Sequence, residues 1–66
     1  MNLVINGECR RFSAPLSVAH LLETLGYAGK RIAVEQNGEI VPKSRHGETL
    51  LAEGDILEVV VAVGGG

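Results

Sequence analysis

The chain has little of what a disulfide scaffold or a membrane anchor needs. Its 66 residues include one cysteine, Cys9, so no disulfide can form within the chain and nothing indicates an oxidising compartment. No apolar stretch approaches the ~20 residues of a membrane-spanning helix. The apolar start of the chain breaks at Asn6-Gly7, too early for a signal peptide. We therefore expect a soluble, cytoplasmic protein without a membrane partner.

Aromatic and basic residues are also scarce. Phe12 and Tyr27 are the only aromatic residues, the six Lys and Arg residues are scattered, and the net charge is −2. Nucleic-acid binding needs a basic patch, so we expect no nucleic-acid partner. A domain of this length buries about 60% of the surface that its unfolded chain exposes, which leaves little room for a ligand pocket. A binding or carrier module is favoured over an enzyme.

Reactive side chains do not have the spacing of a catalytic or metal centre. His20 is expected to be solvated, and His46 lies in a polar segment with no nucleophile nearby in sequence. Cys9 has no activating partner and is expected to be a small, partly buried side chain. Glu53 and Asp55 are expected to form a turn. We expect no catalytic residue, no metal site and no bound cofactor.

The Asn-Gly pair at residues 6–7 predicts a β-hairpin, because a type I′ turn needs positive φ at both central residues. The pair at residues 37–38 predicts a second hairpin or a tight bend. The first joins a strand over residues 3–5 to one over residues 8–14. Alternation places Cys9 opposite Val4 and Phe12 on the core side. The second joins a strand over residues 31–36 to a short one over residues 39–41.

One helix is predicted between the hairpins. Ser17 is placed to cap it, apolar residues recur at i, i+3, i+4 and i+7 from Val18 to Leu25, and Gly26 provides a left-handed stop. Residues 43–49 are polar and are expected to be a surface loop, after which Leu50 and Leu51 re-enter the core. The order of elements predicts one α+β domain over residues 1–66, in which a helix crosses one face of a mixed sheet of four to five strands. Residues 1–63 form its globular part and residues 64–66 a flexible tail.

The three final glycines follow directly on an apolar run over residues 56–63. A glycine tail has no Cβ atoms, so it can enter a narrow site that excludes other residues. A free α-carboxyl group is ionised at neutral pH. A frayed end or a linker is the alternative, but the tail lacks serine and charge and joins the strand without a spacer. The tail of Gly64, Gly65 and Gly66 is therefore expected to present its terminal carboxylate to a narrow enzyme site.

Alternation along the last strand predicts which residues surround the root of this tail. Residues 57, 59 and 61 are expected to face the helix, and residues 58, 60 and 62 the other side of the sheet. Val60 with Ile40 or Val41 then contributes to an apolar docking patch; the alternative is an isolated exposed valine without a role. The docking candidates are Ile40, Val60, Ala62 and Val63.

With these features in order, the chain resembles the ThiS family, sulfur carriers of thiamin biosynthesis with the ubiquitin-like β-grasp fold. The matching segments are residues 3–8, 17–22, 32–42 and 54–66. Each segment is short, and their order, spacing and total length carry the resemblance, which covers essentially the whole chain.

The resemblance implies a protein cosubstrate, not an enzyme. A ThiF-like activating enzyme would consume ATP to adenylate Gly66, and a persulfide donor enzyme would convert the adenylate to a thiocarboxylate. A ThiG-like thiazole synthase would then receive the sulfur for thiazole ring formation. No cofactor would stay bound to the carrier.

Other carriers and modifiers are the alternatives. The small subunit of molybdopterin synthase also ends in Gly-Gly and carries a thiocarboxylate, but its family usually has a longer first connection than the tight turn at Asn6-Gly7. Carriers for other sulfur pathways share the same chemistry. A ubiquitin-like modifier would join Gly66 to lysine, and a passive interaction module would leave it unchanged. The fate of Gly66 distinguishes these classes.

Overall fold

The computed structural model describes residues 1–27 and 29–62. These residues form two strands, a helix, two further strands, a short 3-10 helix and a last strand. The strands and the α-helix follow the predicted order, whereas the 3-10 helix was not predicted. The elements are β1 (Asn2–Ile5), β2 (Glu8–Arg11), α1 (Val18–Thr24), β3 (Ile32–Gln36), β4 (Glu39–Val41), the 3-10 helix (Lys43–Arg45) and β5 (Ile56–Val61).

The last strand lies in the middle of the sheet. The five strands follow the order β2-β1-β5-β3-β4, so β5 separates the two hairpins. It runs parallel to β1 and antiparallel to β3. The predicted α+β class, with a mixed sheet and one helix, is therefore confirmed.

Both Asn-Gly pairs form the predicted turns. The φ angles are 50° and 84° at Asn6 and Gly7, and 53° and 85° at Asn37 and Gly38, which match a type I′ turn. Cys9 pairs with Val4 as expected. The second strand is shorter than predicted, since it ends at residue 11 and not 14. The pairing of β2 with β1 ends one residue later, where the Phe12 N–H donates a hydrogen bond to the Met1 carbonyl oxygen.

The helix starts and stops where the sequence predicts. The Ser17 hydroxyl accepts a hydrogen bond from the His20 N–H at 3.1 Å. The N–H groups of the first two helical residues donate to the carbonyls of Thr49 and His46, both at 2.9 Å. These three contacts satisfy donors that have no partner within a helix. Gly26 follows the helix with φ 85°.

The core lies between the helix and one face of the sheet. Each fully buried apolar side chain contributes roughly 1.5–3 kcal/mol relative to an exposed one. Phe12 packs against this core, as predicted. The buried apolar residues are Leu3, Ile5, Val18, Leu21, Leu22, Val34, Val41, Leu51, Leu57 and Val59.

The prediction that both Leu50 and Leu51 enter the core is wrong for the first of them. Leu50 is 65% exposed and Leu51 is 7% exposed. Leu50 forms an isolated antiparallel bridge with Ser17. Neighbouring side chains of an extended segment point to opposite sides, so only one of the two can face the core.

The prediction of a polar surface loop over residues 43–49 is also wrong in part. Three of its residues form the 3-10 helix, and His46 is only 9% exposed. The Nε2 atom of His46 lies 3.1 Å from the Val41 carbonyl oxygen. Because a carbonyl only accepts, this nitrogen is the donor. The segment is folded against the start of the helix, an arrangement that its polar composition does not reveal.

Candidate functional site

The strand that leads to the glycine tail is held on one side by Asn6. The main-chain N–H of Asn6 donates to the Leu57 carbonyl at 2.9 Å. Its side-chain Nδ2 donates to the Val59 carbonyl at 3.1 Å, and its Oδ1 accepts from the Val59 N–H at 2.8 Å. The side-chain amide thus pairs with β5 as a further strand residue would, two residues beyond the last β1–β5 pair.

On the other side, Asn37 holds the beginning of the same strand. Its main-chain N–H donates to the Ile56 carbonyl at 2.7 Å. Its Oδ1 accepts from the Ile56 N–H at 2.9 Å, and its Nδ2 donates to Asp55 Oδ1 at 3.0 Å. Asn6 therefore bonds to β5 beyond the end of its pairing with β1, and Asn37 bonds to β5 before its pairing with β3 begins.

Asp55 completes the anchoring of β5. Gln36 Nε2 and the Ala52 N–H both donate to its Oδ2, at 2.8 and 2.9 Å. Partial burial raises the pKa of this carboxyl group, but the hydrogen bonds from Asn37, Ala52 and Gln36 outweigh it, so the pKa lies below its usual value. The ionised form of Asp55 is the one that the fold stabilises.

The predicted reacting residue, the two tail glycines before it and one docking candidate lie outside the described part of the chain. These are Val63, Gly64, Gly65 and Gly66. The last described contact before them is the hydrogen bond from the Ala62 N–H to the Arg31 carbonyl, at 2.9 Å. The main chain is thus held as far as Ala62 by Arg31, the residue before β3.

The predicted alternation along β5 is confirmed. Leu57 and Val59 are buried against the helix, whereas Val60 is 60% exposed on the opposite side, which we call the open face. Ala62 is exposed as well. The proposed contribution of Val41 to a patch on the open face is wrong, because that residue is buried in the core.

Ile40 shares the open face with Val60 but does not adjoin it. Ile40 pairs with Glu35, which pairs in turn with Glu58, whereas Val60 pairs with Ala33. Strand β3 lies between β4 and β5, so roughly 10 Å separates the two strands that carry the candidates. Val60 and Ile40 do not form the single continuous patch that the sequence suggested.

Two acidic side chains stand between these apolar residues. Glu35 and Glu58 are direct cross-strand partners, and both are exposed. Like charges placed directly opposite each other destabilise an antiparallel pair. The open face therefore combines separate apolar residues with a local negative charge.

Sequence reasoning missed one apolar residue of the open face. Ile56 has the same parity as Val60 on β5, is 55% exposed, and pairs with Val4 of β1. Alternation along β5 could have predicted that Ile56 is exposed on the open face. The prediction was not made, because Ile56 lies within a continuous apolar run.

The reactive side chains do not assemble into a catalytic constellation. His20 is exposed, as predicted, and the ring of His46 is hydrogen-bonded to the carbonyl of Val41, the last residue of β4. The prediction that Cys9 is partly buried is wrong, because it lies exposed on the edge strand β2, whose residues are all exposed. Within residues 1–27 and 29–62, no three His, Cys, Asp or Glu residues are grouped to hold a metal ion.

A cavity of about 220 Å³ lies beside the helix, on the side away from the open face. Leu22, Tyr27, Ile32, Lys43 and His46 are among the residues that line it. This volume is below the ~300–1,000 Å³ of typical small-molecule sites. Among the described helices, none is long and apolar enough to cross a membrane.

Comparison with known proteins identifies the family. The ThiS family model matches residues 3–66, which include the glycine tail. The chain belongs to the ThiS family. A thiamine biosynthesis protein, ThiS, from Geobacter metallireducens has a crystal structure that superposes with a TM-score of 0.84 at 33% sequence identity, with both chains fully covered. The ubiquitin-like β-grasp fold expected from the sequence is thereby confirmed.

Curated relatives in sequence include carriers and larger proteins. The sulfur carrier protein ThiS of Bacillus subtilis is 38% identical over 50 residues, which are 76% of each chain. A thiazole synthase of Paramagnetospirillum magneticum is 52% identical over all 66 residues, and one of Magnetococcus marinus is 38% identical. The chain spans 20% of the length of these two synthases.

Proposed function

We propose that this chain carries sulfur for thiazole formation in thiamin biosynthesis, with the carboxyl group of Gly66 as the attachment point. The observation that carries the proposal is the match to the ThiS family, which extends through the final glycines. The similarity to a sulfur carrier of Bacillus subtilis supports it. Molybdopterin-type carriers are less favoured, because the matched solved structure is that of a thiamine biosynthesis protein.

The chemistry starts from the carboxylate of Gly66. One of its oxygens attacks the α-phosphate of ATP on a ThiF-like activating enzyme, pyrophosphate leaves, and an acyl-adenylate forms. The terminal sulfur of a donor enzyme's persulfide then attacks the acyl carbon and displaces AMP. Cleavage of the sulfur–sulfur bond by a thiol leaves a thiocarboxylate. The carrier acts as cosubstrate, and ATP is consumed by the activating enzyme.

The fold supports this role through the central position of β5. A strand paired on both sides and anchored by Asn6 and Asn37 provides a rigid base for a tail that must reach another protein. Gly64 and Gly65 would extend the reach of Gly66 without side chains that fill a narrow tunnel.

The docking surface proposed for the activating enzyme is the part of the open face next to the tail. Val60 and Ala62 are exposed there, and Val63 follows Ala62 in sequence. Ile40 would lie at the periphery of that contact, since β3 separates it from Val60. Interfaces commonly surround a few apolar anchors with polar residues.

A ThiG-like thiazole synthase is the proposed acceptor. A segment similar to this chain makes up a fifth of two proteins named thiazole synthase. The presence of a carrier-like segment within the same polypeptide as a synthase supports transfer between the two.

The proposal is tested with purified partners. The chain is incubated with ATP, an activating enzyme and a persulfide donor, and a chain that lacks Gly65 and Gly66 serves as the comparison. The full chain should acquire a thiocarboxylate and the shortened chain none. Sulfur loading of the shortened chain would refute the assignment of Gly66, and attachment of the full chain to lysines would indicate a modifier.

A further inference from the structure

The hydrogen bonds of β5 alternate between its two neighbours. The Ala62 N–H donates to the carbonyl of Arg31, the residue before β3. The Ile56 carbonyl accepts from the N–H of Asn37, the residue after β3, so both hydrogen bonds lie on the β3 side of β5. In an antiparallel pair, the intervening residues direct their N–H and C=O groups the other way. The main-chain groups of Leu57, Val59 and Val61 therefore point towards β1.

On the β1 side, the hydrogen-bond partners of the β5 main chain end before β5 itself ends. Leu57 is bonded by the main chain of Asn6 and Val59 by its side-chain amide. The chain then turns away through Gly7 into β2, which lies on the far side of β1. Within residues 1–27 and 29–62, the N–H and C=O groups of Val61 have no hydrogen-bond partner.

We propose that this open strand edge at Val61 receives an extended segment of the partner protein that accepts the tail, paired as an added β-strand. An unpaired strand edge is a ready template for such pairing. The edge lies at the end of β5, five residues before Gly66 in sequence, so a segment bound there would set the direction in which the tail is delivered. The partner's identity as an activating enzyme rests on the proposed function.

The occupant is a segment of a larger protein and not a second copy of this chain. The described edge is a single residue long, whereas a stable dimer buries about 800 Å² on each partner. A protein that also contacts Val60 and Ala62 on the open face gains the additional area. The side chain of Val61 is partly buried in the fold, so recognition at the edge is through main-chain groups.

The test removes one donor without disturbing the fold. In Val61→Pro the N–H group is lost at a position where it has no partner in the fold, and proline is tolerated at such strand edges. The matched control Val61→Ala keeps the N–H group and loses most of the side chain. A second variant, made by semisynthesis, replaces the amide between residues 60 and 61 by an ester, which removes the N–H group and retains the valine side chain.

The readout is the KM of each carrier in ATP-dependent activation by its activating enzyme, with thermal unfolding measured in parallel. The ester should raise KM about three- to tenfold, the effect of one main-chain hydrogen bond. Val61→Pro should raise it at least tenfold, while Val61→Ala stays within about twofold. The melting temperature of the ester variant should fall only slightly, because its weaker Val60 carbonyl still accepts from β3.

The possible failures are distinguishable. An ester variant with the KM of the unmodified chain would overturn the added strand, even where Val61→Pro is impaired or fails to fold. Failure of the unmodified chain to be activated would instead contradict the proposed function. An increase in KM as large for Val61→Ala as for the ester would assign the effect to the side chain and also overturn the proposal.

Discussion

Asn6 and Asn37 hydrogen-bond to the same strand from opposite sides. The side-chain Oδ1 of Asn6 accepts from the Val59 N–H at 2.8 Å, and that of Asn37 accepts from the Ile56 N–H at 2.9 Å. Each residue also begins a type I′ turn with positive φ. The same two residues therefore close the hairpins and anchor the strand that carries the tail.

Replacing Asn6 by glycine should destabilise the protein by about 1–3 kcal/mol, because the Val59 N–H and C=O lose their partners. Glycine adopts positive φ without strain, so the loss does not report on the turn. Denaturant unfolding of Asn6→Gly measures the difference. An unchanged free energy of unfolding would show that the amide does not hold β5.

Asp55 should make stability depend on pH in the acid range. Its pKa is lowered in the fold, so its stabilising contribution is present above the unfolded value of about 3.9 and is lost as pH falls through the folded pKa. Asp55→Asn should be less stable than the unmodified chain at pH 7, and the difference should shrink below about pH 4. Unfolding followed at several pH values checks this.

The comparison with Asp55→Asn is needed because Glu53 is a second carboxyl group whose contribution to stability depends on pH. A hydrogen bond from the Asn2 main-chain N–H, at 3.0 Å, is the principal reason that its pKa is also lowered. The acid sensitivity of the unmodified chain therefore includes both groups, and only the difference from Asp55→Asn isolates one. A difference independent of pH would contradict the role assigned to the ionised Asp55.

Reversing one charge of the acidic pair should stabilise the fold. Glu58→Lys converts the repulsion with Glu35 into an attraction, with an expected gain of about 0.2–1 kcal/mol. Glu39→Lys is the matched control, since that exposed residue pairs with the neutral Gln36. If both variants raise the melting temperature equally, the gain arises from the change in net charge and not from the pair with Glu35.

The docking role proposed for Val60 predicts a loss of partner affinity without a loss of stability. Val60→Ser should raise the KM for activation several-fold, because an apolar contact is lost at the interface. Leu50→Ser is the control, since Leu50 is equally apolar and 65% exposed but lies outside the sheet. Equal effects of the two substitutions would contradict the docking role.

Crowding in a narrow site predicts the effect of a single methyl group on the tail. Gly66→Ala should slow adenylate formation and leave thermal unfolding unchanged, because the added Cβ lies far from the core in sequence and next to the reacting carboxyl group. Pyrophosphate exchange with the activating enzyme measures the rate. Normal exchange by the variant would argue against a tightly restricted site.

Local signals predicted most of the fold. The turns at Asn6 and Asn37, the cap at Ser17 and the facing of Val60 all follow from neighbouring residues, and each is confirmed. Burial of His46 depends on contacts between distant segments and was missed, because a polar loop has no periodicity that reports them.

The candidate site was predictable to a smaller extent. Alternation identified the exposed side of β5, but the strand order separates Ile40 from Val60 by β3, and strand order is not encoded in local pattern. The second role of Asn6 likewise depends on β5 lying beside β1. Residues 63–66 lie outside the described part of the chain, so their assigned roles stay predictions.

The most direct test of sulfur transfer through Gly66 is the intact mass of the untagged chain after incubation with ATP, an activating enzyme and a persulfide donor. We expect a mass gain that matches replacement of one oxygen by sulfur, localised to Gly66 and absent when the last two glycines are deleted. An unchanged mass with partners that are active on another carrier would contradict it.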